Sequence, residues 1–258
     1  MRNRLKGLSA AIPVVIFAST TGATPVFNET FDGYTNGNLV GQSGWTESNS
    51  GTQAVTVAGS TDKFVSLTSS GQDAYKAFTS NVNHTDGNAI YTGADITVTA
   101  AQSGGDYFLN LGETLGGSFD ERLFAKSTTG GFFFGLQDTS GAVTYGTTVL
   151  SLNTKYHIAL TWNFVAGATN DTMVLYVNPT NITEGSNTAY LNYTWTAAEP
   201  TILKTANLRQ GSASAAPTAT IDNFVVGTAF TDVVPEPAGL AIALVGVLPL
   251  MSRRRRSK

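Results

Sequence analysis

The chain of 258 residues has no cysteine, only two histidines, and only 13% charged residues. The absence of cysteine excludes disulfides, cysteine-ligated zinc, iron–sulfur clusters and a thiol nucleophile. Two histidines cannot supply a three-histidine metal site, and a serine triad would need His84 or His157 as its base. What the sequence does contain is 41% hydrophobic residues and 27 glycines, which indicates a folded chain rather than a disordered one. The length is compatible with one domain, because all-β sandwiches reach roughly 200–250 residues as single units.

The first 23 residues have the pattern of a secretory signal peptide. Three basic residues lie among the first six, an apolar run extends from Leu8 to Ala18, and small residues follow up to Ala23. The apolar run is too short for a hydrocarbon core of ~30 Å, which needs about 20 residues. We therefore predict export, with cleavage after Ala23, so that residues 1–23 are removed. An uncleaved N-terminal anchor is the alternative.

Three elements follow one another in the C-terminal residues 233–258. Two prolines stop any strand, because proline fixes φ and lacks an N–H donor. A charge-free apolar stretch, Ala238–Met251, comes next, and we expect a short apolar helix there. Arginines then follow, as in a stop-transfer signal whose basic residues stay in the cytoplasm. A stretch of this length would span a membrane only marginally.

This order of elements resembles the PEP-CTERM sorting domain, over about a tenth of the chain. The motif residues carried over by the resemblance are Pro235, Glu236 and Pro237, followed by the arginines Arg253, Arg254, Arg255 and Arg256. The resemblance implies recognition and cleavage by an exosortase-type membrane enzyme. It also implies transient anchoring in the inner membrane and delivery to the bacterial cell envelope or extracellular matrix. A plain C-terminal tail anchor is the alternative.

Residues 24–232 show short alternating apolar and polar runs, without sustained helical periodicity. The clearest run is Tyr156–Phe164, in which every second residue is apolar and His157 falls on the other face. Met173–Val177 is apolar on both faces, which is typical of a strand sandwiched centrally. Strands are predicted near residues 26–31, 53–57, 64–68, 89–99, 106–111, 121–127, 132–136, 143–148, 156–164, 173–177, 189–195, 201–207 and 218–230. So many short strands predict an all-β, antiparallel β-sandwich or jelly roll.

Several segments resemble concanavalin A-like lectin/glucanase and laminin G-like domains. They are the hairpin Asn153–Asn178, the opening Glu29–Tyr34 with Gly41–Trp45, and the closing Ala219–Thr228. The resemblance covers nearly the whole mature chain and implies a concanavalin A-like β-sandwich over residues 24–232. Its motifs are mostly structural, so it supports a fold without supplying an activity.

The same resemblance implies a structural Ca²⁺ site, because a calcium ion often joins the first strand to the last in related sandwiches. The implied ligands are Glu29, Asp32, Asp222 and Asn223. Oxygen ligands of this kind are those that Ca²⁺ takes. Capping of the local backbone by these side chains is the alternative.

The acidic residues argue against a laminarinase-type glycoside hydrolase. Such enzymes place carboxylates at every second position of one strand, where they point into the same cleft. None of the 18 acidic residues has another acid two positions on. The sequence also lacks a phosphate loop, a dinucleotide fingerprint and a Gly-x-Ser-x-Gly elbow. We predict a non-catalytic protein, with a glycoside hydrolase or lyase that draws its carboxylates from separate strands as the alternative.

Glycan binding is a second class of function. It needs aromatic rings that stack on sugars, and the candidates are Trp45, Tyr193 and Trp195. Burial of these rings is the alternative, and Trp162, on the apolar stripe of its run, is predicted to be core. We therefore predict a structural or glycan-binding role, with an extracellular polysaccharide as the partner.

The net charge of −3 conceals an uneven distribution. The two terminal segments hold eight of the 15 basic residues, which leaves seven basic residues against 18 acidic ones between Glu29 and Glu236. The folded part therefore carries a net charge of about −11 and shows no basic patch in the sequence. This predicts an acidic soluble domain and argues against nucleic acid or another polyanion as a partner.

Overall fold

A computed structural model describes residues 24–234, which contain sixteen strands and two short 3₁₀ turns, at Glu184–Ser186 and Phe230–Asp232. The strands are β1 (Phe27–Glu29), β2 (Gly37–Asn38), β3 (Thr46–Asn49), β4 (Thr56–Gly59), β5 (Lys63–Leu67), β6 (Asp73–Asn83), β7 (Ala89–Ala100), β8 (Asp106–Gly112), β9 (Arg122–Thr128), β10 (Gly131–Gln137), β11 (Thr144–Tyr145), β12 (Lys155–Asn163), β13 (Thr172–Val177), β14 (Leu191–Thr194), β15 (Ile202–Leu208) and β16 (Thr218–Gly227). The predicted signal peptide and the predicted sorting segment from Pro235 onward lie outside the described residues. Between residues 24 and 234, no helix has both the length and the apolar character needed to cross a membrane.

The strands form two antiparallel sheets. The nine-stranded sheet has the order β14-β13-β12-β7-β16-β5-β4-β2, with β1 paired to β16. The seven-stranded sheet has the order β11-β10-β9-β8-β15-β6-β3. This confirms the predicted all-β jelly-roll sandwich. The first and last strands are neighbours, because Phe27 lies opposite Val226 in the β1–β16 pair.

The main core lies between the two sheets and follows from the alternation of the strands. In β12, Ile158, Leu160 and Trp162 face the other sheet and are fully buried. Trp162 is core, as predicted, and its ring stacks on Trp195 with 4.4 Å between the ring centroids. Aromatic pairs in this offset arrangement add about 0.5–1.5 kcal/mol beyond the area that they bury.

Strand β13 is sandwiched centrally, as Met173–Val177 predicts, because it pairs with β12 on one side and with β14 on the other. Its outward side chains are apolar because residues 228–234 pack across the outer face of the nine-stranded sheet and form a second core there. The Phe230 ring lies 5.4 Å from the Tyr176 ring. Gly93 permits this approach, since a Cβ atom there would lie only 2.8 Å from the Val233 side chain.

Strand β6 is long, at 11 residues, yet the sequence pattern does not predict it. Its inward positions include Ala74 and Lys76, which are paired with the buried residues Leu208 and Ala206 of β15. Lys76 crosses to the other sheet and forms an ion pair with Glu29 on β1. An inward lysine breaks the apolar alternation, so this strand has no hydrophobic signature.

Candidate functional site

The four residues implied as calcium ligands are not brought together. Glu29 faces the seven-stranded sheet, where Lys76 and Tyr34 bond its carboxylate. Asp222 lies opposite Asp95 on the other face of the nine-stranded sheet. The proposed set of Glu29, Asp32, Asp222 and Asn223 is therefore wrong as a single site, because Glu29 and Asp222 lie on opposite faces of the nine-stranded sheet.

The remaining two members bond to neighbouring protein groups. Asp32 accepts the Lys63 N–H at 3.0 Å, and the Asn223 side chain donates to Asp95 at 3.0 Å. Burial raises the pKa of Asp222 to about 6, and the nearby carboxylates of Asp62 and Asp95 act in the same direction. These contacts are those of side chains that bond the local backbone and each other.

The three aromatic residues predicted to bind glycans are buried. Trp45 is 2% exposed, Trp195 is fully buried, and Tyr193 is 6% exposed. A sugar can stack only on a ring face that solvent reaches, so this prediction is wrong for all three. They fall on the inward positions of their segments, where Trp45 packs edge-on against Phe27 with ring centroids 6.0 Å apart.

A different set of aromatic and polar side chains lies on the outer face of the seven-stranded sheet. We call this set the open face; its residues are all half-buried, and they are Tyr107, Arg122, Lys126, Gln137, Tyr145 and Arg209. The strand register places them there. Arg122 lies opposite both Asn110 and Gln137, whereas the next residue, Leu123, is fully buried in the core. Directly opposed residues of antiparallel strands project to the same side.

Two guanidinium groups hold the ring of Tyr107. The Arg209 Cζ atom lies 4.0 Å from the ring centroid and the Arg122 Cζ atom lies 4.9 Å from it. Such cation–π contacts contribute about 0.5–2 kcal/mol each, more when water is excluded. Burial raises the pKa of the Tyr107 hydroxyl, although both guanidiniums act in the opposite direction. The phenol is therefore not predisposed to act as a tyrosinate base.

Tyr145 lies flat against the sheet at its edge. A Cβ atom on Gly135, the residue opposite Tyr145, would lie 2.6 Å from the ring Cδ1 atom and 2.8 Å from Cε1. Only a glycine at position 135 allows the ring to lie this close to the backbone. Lys126 places its Nζ atom 5.2 Å from the ring centroid. Burial raises the pKa of the Tyr145 hydroxyl, so this phenol is also held in its neutral form.

A loop of residues 113–119 covers the end of this face nearest β6. A Cβ atom on Gly116 would lie 2.8 Å from the Tyr75 ring, and one on Gly112 would lie 2.6 Å from the Ser118 carbonyl oxygen. Beneath the loop, Asn110 and Asn207 are buried and their Oδ1 atoms have no hydrogen-bond partner among the described residues. The loop therefore marks one boundary of the open face.

The charge of the open face was missed by the sequence analysis. Three of the seven basic residues between positions 24 and 234 lie on it: Arg122, Lys126 and Arg209. They come from strand β9 and the residue after β15, so no run of basic residues exists in the sequence. One signal was available. Arg122 and Lys126 are four positions apart on one strand, which places them on the same side.

A separate cluster joins His84, Asp171 and Glu199. One atom of each side chain that could bind a metal ion lies within 4.8 Å of the other two. Among residues 24–234, no other three histidine or acidic residues come together in this way. The Asp171 Oδ2 atom accepts hydrogen bonds from His84 Nε2 and from Trp162 Nε1, both at 2.7 Å, and Oδ1 accepts the Val165 N–H at 2.7 Å. Because protein donors already bond both carboxylate oxygens, the arrangement is that of a structural hydrogen-bond network.

Comparisons with known proteins agree with this architecture. No protein-family model matches the chain, and no curated protein matches it either. Solved structures that are similar include an alginate lyase in complex with an alginate tetrasaccharide, with 15% identity, a TM-score of 0.50, and coverage of 79% of this chain and 97% of the lyase. An endo-1,3-beta-glucanase from Streptomyces sioyaensis has 12% identity, a TM-score of 0.50, and coverage of 82% and 98%. The binding domain of Paraclostridial Mosquitocidal Protein 1 has 12% identity, a TM-score of 0.52, and coverage of 86% and 52%.

Proposed function

We propose that the protein is an exported, non-catalytic carbohydrate-binding protein of the bacterial envelope or extracellular matrix, which binds a polysaccharide on the open face. The observation that carries this proposal is the difference between the two outer faces of the sandwich. Residues 228–234 cover the part of the outer face of the nine-stranded sheet around Ala159 and Tyr176 with apolar contacts. The open face instead presents half-buried aromatic and hydrogen-bonding side chains to solvent.

The chemistry of the open face is that of sugar recognition. A sugar has apolar ring faces and hydroxyl edges, so it needs an aromatic surface with polar groups around it. Tyr145 supplies a ring whose one side lies on Gly135. Lys126 places its ammonium group 5.2 Å from the ring centroid, and Arg122 and Gln137 lie on the same face. These side chains are held on strands of one sheet, and a preformed surface loses less conformational entropy when it binds.

The fold is the second support for this proposal. The names of two similar structures give a polysaccharide as the molecule acted upon, so a jelly-roll sandwich is compatible with long glycans. A polysaccharide-active glycoside hydrolase or lyase on the same fold remains the alternative. Against a lyase, burial raises the pKa of both tyrosines on the open face, whereas a general base works best with a pKa near the operating pH. The nearby Asp106 carboxylate is also engaged, because it forms an ion pair with Arg209 at 2.7 Å.

Replacing Tyr145 with alanine is expected to weaken polysaccharide binding roughly 30-fold or more, which corresponds to the loss of an interface residue worth about 2 kcal/mol. The physical reason is the loss of the stacking surface. Affinity is measured by affinity electrophoresis and calorimetry against a panel of soluble polysaccharides that give binding with the unchanged chain. Release of new reducing ends or unsaturated sugars in the same samples would show the enzymatic alternative instead.

Tyr145→Phe is the matched variant, because it keeps the ring and removes only the hydroxyl. It is expected to bind within about threefold of the unchanged chain, since a ring that keeps its area keeps most of its contact energy. Thermal unfolding of both variants tests whether they fold. A folded Tyr145→Ala variant with full affinity would place the glycan elsewhere or remove the proposal.

Export and sorting form the second part of the proposal. The signal peptide pattern and the Pro235-Glu236-Pro237 motif with its arginine cluster support delivery through an exosortase-type membrane enzyme. Deletion of residues 252–258, which removes the arginines, is expected to leave unprocessed and missorted protein, because the cytoplasmic stop would be absent. Cell fractionation with an antibody to the sandwich domain measures this. Normal processing and location after the deletion would contradict both the sorting signal and a tail anchor.

A further inference from the structure

Resting on the proposed function, we infer that the bound polysaccharide is carboxylated, and that Arg122 and Lys126 bind its carboxylates. This names the class of ligand that the open face takes. It also reverses the expectation from net charge that polyanions are excluded as partners.

The first observation is that these two cations lack acidic partners in an acidic domain. Residues 24–234 contain 17 acidic and seven basic residues. With so many carboxylates available, Lys76, Lys155 and Arg209 each pair with one. The ion pairs of the described residues include none of Lys63, Lys204, Arg122 and Lys126. Of these four, Arg122 and Lys126 lie on the same side of one strand, on the open face, where two cations without carboxylate partners are placed to bind anions from outside the chain.

The second observation is that the Arg122 guanidinium is fixed in position by neutral acceptors. Its Nε atom donates to the Phe119 carbonyl at 2.7 Å, and Nη1 donates to the Gln137 side chain at 3.0 Å. Its Cζ atom also lies over the Tyr107 ring, 4.9 Å from the ring centroid. None of these contacts is with a carboxylate, although the Arg122 charge reaches Asp120, whose pKa it acts to lower. A guanidinium that is ordered before binding, with donors to spare, is suited to a carboxylate oxygen.

The spacing of the two cations indicates a polymer rather than a single acidic sugar. Residues at i and i+4 of a strand have Cα atoms about 13 Å apart. A ligand that reaches both Arg122 and Lys126 must therefore carry charges on separate units. Phe124 lies between them and is only 5% exposed, so the ring that a sugar can reach is that of Tyr145, which packs edge-on against Phe124 with ring centroids 6.4 Å apart. Two cations beside one accessible ring match a chain of sugars that carry carboxylates.

The charge of the whole domain favours a carboxylated glycan over nucleic acid. A domain with ten more acidic than basic residues repels a polyanion in proportion to its charge density. Double-stranded nucleic acid carries one charge per ~1.7 Å of its axis. A uronic acid polymer has at most one carboxylate per sugar, so two local cations compensate a larger share of its charge.

The test compares binding of the full chain, purified in mild detergent, to polygalacturonate oligomers and to neutral β-1,3-glucan oligomers of equal length. We expect at least tenfold tighter binding of polygalacturonate, with an affinity that falls as salt rises, because salt screens the ionic contacts. Arg122→Gln is expected to lower this affinity at least tenfold, and Lys126→Gln severalfold. Lys155→Gln is the control, since Lys155 is exposed on the other sheet and pairs with Asp95; it should leave the affinity unchanged.

The outcomes separate the inference from the proposed function. Equal binding of neutral glucan, with no effect of Arg122→Gln and Lys126→Gln, would overturn the carboxylate assignment and leave glycan binding intact. Binding of polyphosphate or single-stranded DNA as tightly as polygalacturonate would overturn it as well, since the face would then recognise charge alone. Binding of neither glycan would remove both the inference and the proposed function. If Arg122→Gln lowers thermal stability, the affinity of Lys126→Gln for polygalacturonate and the salt dependence of binding still test the carboxylate assignment.

Discussion

Replacing Glu121 with glutamine is expected to raise the free energy of unfolding at pH 9 by about 3–5 kcal/mol, and to change it little at pH 4. Glu121 is fully buried between the sheets. Its Oε2 atom accepts the Thr92 hydroxyl at 2.7 Å, and Oε1 has no partner among the described residues. Burial raises the pKa of Glu121 from 4.5 to about 8, because the charged form is disfavoured away from water.

The sign of the effect follows from proton linkage. Below pH 4.5 the carboxyl is protonated in both the folded and the unfolded chain, so the buried neutral form costs little. Between pH 4.5 and about 8 the unfolded chain releases this proton and the folded chain keeps it, so stability falls as pH rises. Above pH 8 the folded chain carries a buried carboxylate. Glutamine is neutral throughout and removes this fall.

Urea unfolding between pH 4 and pH 9 measures the difference. Glu47→Gln is the matched control, because Glu47 is exposed on the edge strand β3. The unfolding free energy of Glu47→Gln should change with pH in parallel with that of the unchanged chain. Burial also raises the pKa values of Asp120 and Asp222 to about 6. Because these two groups titrate in both proteins, the difference in unfolding free energy between Glu121→Gln and the unchanged chain reports on Glu121 alone. A Glu121→Gln curve that falls with pH as steeply as the unchanged chain would show that Glu121 is ionised in the fold.

Replacing Asp171 with alanine is expected to lower the free energy of unfolding by about 3–5 kcal/mol, the usual cost of removing one partner from a buried hydrogen-bonded network. Asp171 is fully buried. The change leaves the Trp162 Nε1–H and the Val165 N–H without acceptors, and each orphaned buried donor costs about 1–3 kcal/mol. The His84 ring loses the partner that bonds it at 2.7 Å. For a domain of this size the melting temperature should fall by roughly 10 °C or more.

Two comparisons make this result specific. Glu199 accepts the backbone N–H groups of Asn170 and Asp171 at 2.7 and 3.0 Å. Because Glu199→Gln keeps an oxygen that can accept them, it should lower the free energy of unfolding by less than about 1 kcal/mol. Divalent cations should not change the melting temperature of the unchanged chain. A rise in that temperature with Ca²⁺ or Zn²⁺, absent in Asp171→Ala, would mean that the His84, Asp171 and Glu199 cluster is a metal site.

The strands that the sequence predicts well are those with regular alternation. Tyr156–Phe164 matches β12 almost to the residue, because its inward side chains are all large and apolar. Strand β6 could not be predicted in this way, since Lys76 lies inward and finds its partner, Glu29, 47 residues away in the sequence. Pairing between distant residues leaves no local pattern.

The candidate site was predicted less well than the fold. Alternation alone cannot tell a core aromatic residue from an exposed one, and Trp45 and Trp195 both lie on the inward side. The calcium set failed because resemblance places residues on strands without giving the face, and Glu29 and Asp222 point to different sides. Net charge averages over the surface, so it does not show that Arg122 and Lys126 lie on one face of strand β9.

The position of the C-terminal segment determines how the sandwich would be oriented if the protein were tethered to a surface. The described chain ends at Val234, buried against the outer face of the nine-stranded sheet, where His157 bonds the preceding carbonyl, that of Val233, at 2.7 Å. The open face lies on the opposite side of the sandwich. A molecule tethered through its C-terminus would therefore turn the open face away from the tether, and under the proposed function each copy would bridge the cell and the polymer.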